Sequence, residues 1–192
     1  MILPGILSSQ ISGHLFTLTG SYDALATVTV PSGGASSITF SAIPSTYKHL
    51  QIRYISAQTN ASVGSSYSQL NFNSDTGGNY TNHVLYGDGS NAVASTDGTS
   101  LTTFYVEKDS ARTGAGANIF GATVMDILDY ANTSKNKTVR YLSGVEANTA
   151  STQFRVSFGS GLWMSTSAIS SIVFTGAYSY AQNSQFALYG VK

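Results

Sequence analysis

Hydrophobic residues recur at every second position in short runs, and Gly, Asn, Asp, Ser and Pro separate the runs. A period of two sends successive side chains to opposite faces, so each run predicts a strand rather than a helix. The clearest run, residues 48–57, sets Leu50, Ile52 and Tyr54 on one face and Gln51 and Arg53 on the other. Residues 24–30, 37–41, 68–73, 83–86 and 98–107 follow the same rule, broken by turn residues at 31–34, 44–46, 74–78 and 87–89. Residues 118–128 are apolar on both faces, the pattern of a central strand covered on two sides. Residues 138–145 set Val139, Tyr141 and Ser143 against Arg140 and Leu142. In 153–158 the pattern predicts Phe154, Val156 and Phe158 inward, with Gln153, Arg155 and Ser157 outward. Gly159-Ser-Gly161 reads as a hairpin turn before a short strand, 161–164, that carries the only tryptophan, Trp163. Residues 169–174 and 184–191 complete the set, with Phe186 and Leu188 against Gln185 and Tyr189.

Helix signals are nearly absent: the only glutamates are Glu107 and Glu146, and Ser, Thr and Gly interrupt every window. With no helical crossovers the strands are expected to be antiparallel. The expected fold is all-β, with about ten strands in one domain spanning 22–192; a closed barrel is an open alternative, but the Ser/Thr-rich outward faces and uneven loops favour an antiparallel two-sheet β-sandwich of jelly-roll type.

Residues 1–21 break this pattern. They carry Ile2, Leu3, Ile6, Leu7, Ile11, Leu15, Phe16 and Leu18 and no Lys, Arg, Asp or Glu, while Pro4, Gly5 and Gly13 interrupt any helix. Left in water, so apolar a segment forms a patch that soluble monomers avoid. Two readings are open: an opening strand packed on its own domain, or an arm that docks on another subunit. The second is the expectation carried forward.

Composition narrows the function. Ser, Thr, Gly and Asn supply 81 of the 192 residues, only 9% of residues are charged, and nine Lys+Arg balance nine Asp+Glu. Nine scattered cations do not form the basic patch that nucleic acid requires, so no nucleic-acid partner is expected. No apolar run approaches the roughly 20 residues of a membrane span, and no membrane partner is expected. The absence of Cys excludes disulfides and thiolate metal sites. So few charges give weak colloidal repulsion, which suits a protein held inside an assembly.

Candidate chemistry is thin. His14, His49 and His83 fit no metal-binding spacing, and no Gly-x-Ser-x-Gly elbow occurs. Asp126 and Asp129 are the nearest acidic pair within one strand-loop unit, and residues 71–77 echo a calcium loop without its distal glutamate. Four Asn-x-Ser/Thr triplets match what composition supplies by chance. The expectation is no catalytic residue, no metal and no cofactor. Tyr178 and Tyr180 flank Ser179 and are expected to project together as surface-contact aromatics, suited to stacking on a sugar. Trp163, between Leu162 and Met164, is expected to be core.

The run Ser37-Ile-Thr-Phe-Ser-Ala-Ile-Pro-Ser-Thr-Tyr-Lys-His-Leu-Gln-Ile-Arg53 resembles tailed-bacteriophage virion structural proteins, in which a strand ending F-x-x-I-P precedes Y-x-x-L-x-I. Further matches are the opening Gly5-Ile-Leu-Ser-Ser-Gln-Ile-Ser-Gly13, residues 70–80 and 129–138, and the closing Phe186-Ala-Leu-Tyr-Gly-Val191. The resemblance implies a jelly-roll-like β-sandwich in the virion, an oligomer expected to be a homotrimer, with no catalytic residues to carry over. Within that family the short chain, which has no heptad shaft, points to a capsid decoration (cement) protein bound to the major capsid protein or other virion subunits. The alternative is a tail fibre or tail-tip protein that binds host glycan.

Overall fold

The computed structural model describes residues 20–149 and 153–192. Among them lie twelve strands: β1 (Tyr22–Thr29), β2 (Ala35–Phe40), β3 (His49–Gln58), β4 (Ser65–Phe72), β5 (Tyr80–Gly87), β6 (Ala92–Leu101), β7 (Phe104–Arg112), β8 (Gly121–Leu128), β9 (Lys137–Val145), β10 (Arg155–Trp163), β11 (Ile172–Tyr180) and β12 (Gln185–Val191). One turn of 3-10 helix spans Thr113–Ala115. The protein is all-β, as its alternating pattern predicts.

Strands β1, β12, β3, β8, β9, β10, β5 and β6 pair antiparallel in that order. Strands β2, β11, β4 and β7 do the same. The two groups are not separate sheets. Strand β3 runs through both: Leu50–Ser56 pairs with β8, Ala57 and Gln58 lie parallel to Ala111 and Arg112 of β7, and Gln58 also faces Tyr180 of β11. The expectation of purely antiparallel pairing is corrected at that two-residue junction. Likewise the run 98–107, read as one strand, is two, because β6 ends at Leu101 and β7 begins at Phe104.

The core forms where the two groups face each other. Phe174 of β11 packs against Tyr54 of β3 and Phe186 of β12, with ring centroids 5.5 and 5.4 Å apart. Phe72 of β4 lies 5.5 Å from Trp163 of β10, and Phe104 of β7 meets Tyr141 of β9 edge-on at 5.9 Å. Edge-to-face and offset rings of this kind add to the stabilisation from buried area.

Two sequence expectations fail on β10, for one reason. Val156 and Phe158 point outward, while Ser157 is fully buried. Gly159 and Gly161 belong to the strand rather than to a turn, and they face inward: a Cβ on Gly159 would overlap the Tyr141 ring, and one on Gly161 the Phe104 ring. The small residues of β10 thus make room for large rings of β9 and β7, which turns its apolar residues to the outside. Strand β8 departs in the same sense, since Val124 on its second apolar face is 43% exposed.

Strand β7 changes phase part-way. Phe104 and Val106 face the core; Lys108 then adopts φ 48°, and Asp109, Ser110 and Ala111 are all buried. One left-handed residue acts as a bulge that shifts the alternation and pulls a carboxyl inside. Asp109 accepts a hydrogen bond from the Tyr54 hydroxyl at 2.7 Å. Burial pushes its pKa up to about 7, although the Ser68, Tyr54 and Ser110 hydroxyls pull the other way.

Candidate docking face

The outer face of the eight paired strands collects the apolar residues that the core leaves out. The register aligns Ala187, Arg53, Val124, Leu142, Phe158 and Leu85 in one row across β12, β3, β8, β9, β10 and β5. Two residues along each strand lies a second row, in which Ile55, Ala122, Gly144 and Val156 are neighbours. Ile55, Leu85, Val124, Leu142, Val156 and Phe158 are each between 43% and 56% exposed. Scattered apolar residues on a surface are ordinary; a contiguous patch in register over five strands, about 20 Å wide at the usual strand spacing, is not. Ala122 and Gly144 leave a shallow depression that Ile55, Val124, Leu142 and Val156 surround.

A polar row borders this patch on one side. It runs Tyr189, Gln51, Asp126, Arg140, Ser160 and His83 across the same strands. Gln51 donates to Asp126 at 2.8 Å and accepts from Arg53 Nε at 2.7 Å. The Arg53 guanidinium stands 5.1 Å from the ring centres of both Tyr22 and Tyr189. Two cation–π contacts and a hydrogen bond hold that charge at the edge of the apolar rows. An apolar centre with a polar margin is how protein interfaces are built. The sequence carried a signal for it: a strand apolar on both faces, 118–128, needs a cover on each.

The residues singled out from sequence fall differently. The arm residues at positions 2–18, and His14 with them, lie outside the described residues. Tyr178 is 44% exposed, but Tyr180 is fully buried, so the expected aromatic pair is corrected. Pairing with β2 is interrupted between Thr175 and Tyr180, which breaks the parity that would have put both rings on one side. Tyr180 packs edge-on against Phe186 at 5.0 Å and meets the Ser68 hydroxyl at 2.9 Å.

Asp126 and Asp129 serve separate contacts. Asp126 accepts from Gln51, whereas Asp129 accepts from Lys135 Nζ at 2.7 Å, a bond that holds its carboxyl below the usual range. His49 Nδ1 accepts from the Asp129 backbone N–H at 2.9 Å. In the loop that echoes a calcium site, Asp75 accepts from Trp163 Nε1 at 2.7 Å, Asn79 at 2.9 Å and the Gly77 N–H at 2.8 Å. Those donors, Trp163 first, keep the Asp75 carboxyl ionised and occupied, a turn lock rather than a cation cradle. Among the described residues no three His, Cys, Asp or Glu side chains gather as a metal would require.

Among the described residues, six of the exposed large apolar side chains gather on this one face, and what such a face can do is associate. No protein-family model matches the chain, and no curated protein matches its sequence.

Proposed function

We propose that the chain is a non-enzymatic structural subunit of a tailed-phage particle, most concretely a capsid decoration protein that attaches passively to the head. The observation that carries the reading is the apolar outer face, displayed by an all-β chain with only 9% charged residues and no net charge. Such a surface belongs to a protein whose working state is an assembly. The resemblance of residues 37–53, 70–80 and 129–138 to virion structural proteins supplies the kind of assembly, and we read the two strand groups as a jelly-roll-like sandwich in that light.

Attachment to the major capsid protein or another virion subunit is assigned to the arm, residues 1–21. Burying half of its eight large apolar side chains contributes roughly 6–12 kcal/mol before ordering costs. The tail-tip, glycan-binding alternative loses its aromatic platform with the burial of Tyr180.

Cryo-electron microscopy of particles carrying the protein tests this reading. Density for the chain on the head shell, retained after a wash in concentrated salt, is the expected result, because apolar contacts are not screened. Density at the tail tip would overturn the decoration role in favour of host binding.

A further inference from the structure

The outer face of the described strands has a complementarity of its own. We infer that the outer face of β3, β8, β9, β10 and β5 binds the same face of a second copy of this chain, around a two-fold axis lying between β8 and β9. This rests on the reading of the face as an assembly surface and adds the partner.

The register carries the inference. A two-fold axis parallel to the strands, placed between β8 and β9, maps every cross-strand row onto itself with the strand order reversed. Val124 of one copy then meets Leu142 of the other, and Ile55 meets Val156 of the second copy, while Arg53 at the edge of the row lies over the Phe158 ring of the second copy, a placement suited to a cation–π contact. In the polar row the same operation sets Asp126 over Arg140 of the second copy, and Arg140 over Asp126 of the second copy. Asp126 and Arg140 are direct register partners on neighbouring strands, and Arg140 is exposed. An isologous contact repeats whatever it contains, so one opposite-charge neighbour pair becomes two intermolecular ion pairs and no like-charge clash. Zero net charge removes long-range repulsion between copies.

Size agrees. The six exposed apolar residues offer on the order of 500 Å², and the bordering Ala122, Ala187, Arg53 and Arg140 extend the face toward the ~800 Å² per partner of a standard interface. Sheets pack face to face within about 30° when each keeps its native twist, which two copies of one sheet do by construction.

Sedimentation equilibrium of the full chain at tens of micromolar should give the mass of two copies. Asp126→Arg alone sets arginine against arginine twice, and Arg140→Asp alone sets aspartate against aspartate twice. Each variant should weaken self-association at least about tenfold. Mixing the two variants should restore the dimer. The two arginines at positions 126 and 140 of one chain then face the two aspartates at positions 140 and 126 of the other, while the neighbours within each chain stay unchanged. Leu142→Glu should give a monomer, with its circular dichroism preserved.

A full chain that stays monomeric overturns the inference and leaves the face to the chain's own N-terminal residues or to a capsid subunit. A mass of three copies, or a mixture that fails to re-form dimers, overturns the two-fold axis. None of these results bears on where the protein sits on the particle, so the virion reading stands or falls separately.

Discussion

Trp163 shows how a single side chain can join two loops to the core. Its ring lies among Phe72 and Tyr80, and its indole N–H reaches out to Asp75 at the Gly77 turn. Replacing it with Ala removes the packing and a donor from a carboxylate, so Trp163→Ala should cost about 3–5 kcal/mol in urea unfolding. Trp163→Phe, which keeps most of the ring volume but also lacks the donor, should cost clearly less; the difference between the two variants reports ring packing, and the cost that remains in Trp163→Phe includes the lost bond to Asp75. Asp109 makes a different prediction. Its carboxyl has a folded pKa of about 7 against an ordinary 3.8, so the folded protein holds a proton that the unfolded chain has released. The stabilisation associated with that proton is complete below about pH 4 and is lost as pH rises through about 7, a change of a few kcal/mol at most. Asp109→Asn should flatten this slope: urea midpoints taken at about pH 5 and about pH 8 should converge in the variant and differ in the parent. An unchanged slope in the variant would place the titration elsewhere.

At the scale of the element, β10 determines which residues are core and which are surface. Its inward positions are Ser157, Gly159, Gly161 and Trp163, small except at the end, because Tyr141 and Phe104 already fill the space. Gly161→Val would drive a branched side chain into the Phe104 ring and the Thr81 carbonyl. Overpacking of that kind costs about 1–3 kcal/mol or more, and a lowered thermal midpoint with altered near-ultraviolet dichroism is the expected outcome. The same change at an outward position, Ser160→Val, should leave the midpoint nearly unmoved, because Ser160 is exposed. Equal effects at the two positions would mean that the strand does not lie as described.

For the whole molecule, the division of surfaces has a thermodynamic signature. If the outer faces of two copies bury each other, folding and association are linked, and the melting temperature of the full chain should rise with protein concentration. In Leu142→Glu that dependence should vanish. At high dilution, parent and variant should melt within a few degrees of each other, because Leu142 is 56% exposed in the single chain and adds little to its own fold. A concentration dependence that survives Leu142→Glu would assign self-association to a surface other than this face.

Local sequence determined the class of structure. Alternation at period two, turn residues between the runs and the scarcity of helix formers allow only strands, and Leu50, Ile52 and Tyr54, or Val139, Tyr141 and Ser143, are buried where their patterns place them. It did not determine which face of an amphipathic strand turns inward. Phe154, Val156 and Phe158 share one parity, yet only Phe154 is buried, since the neighbours of β10 leave room for glycine and serine and none for Val156 or Phe158. It could not place Tyr180 apart from Tyr178, because pairing with β2 is interrupted between Thr175 and Tyr180 and Tyr178 falls inside that break. Nor could it assemble the docking face, whose members come from β3, β5, β8, β9 and β10 and become neighbours only through register. Periodicity is a property of one strand and is written in one stretch of chain. Inside and outside are properties of how strands from distant stretches of chain pack on one another, and only the tertiary structure decides them.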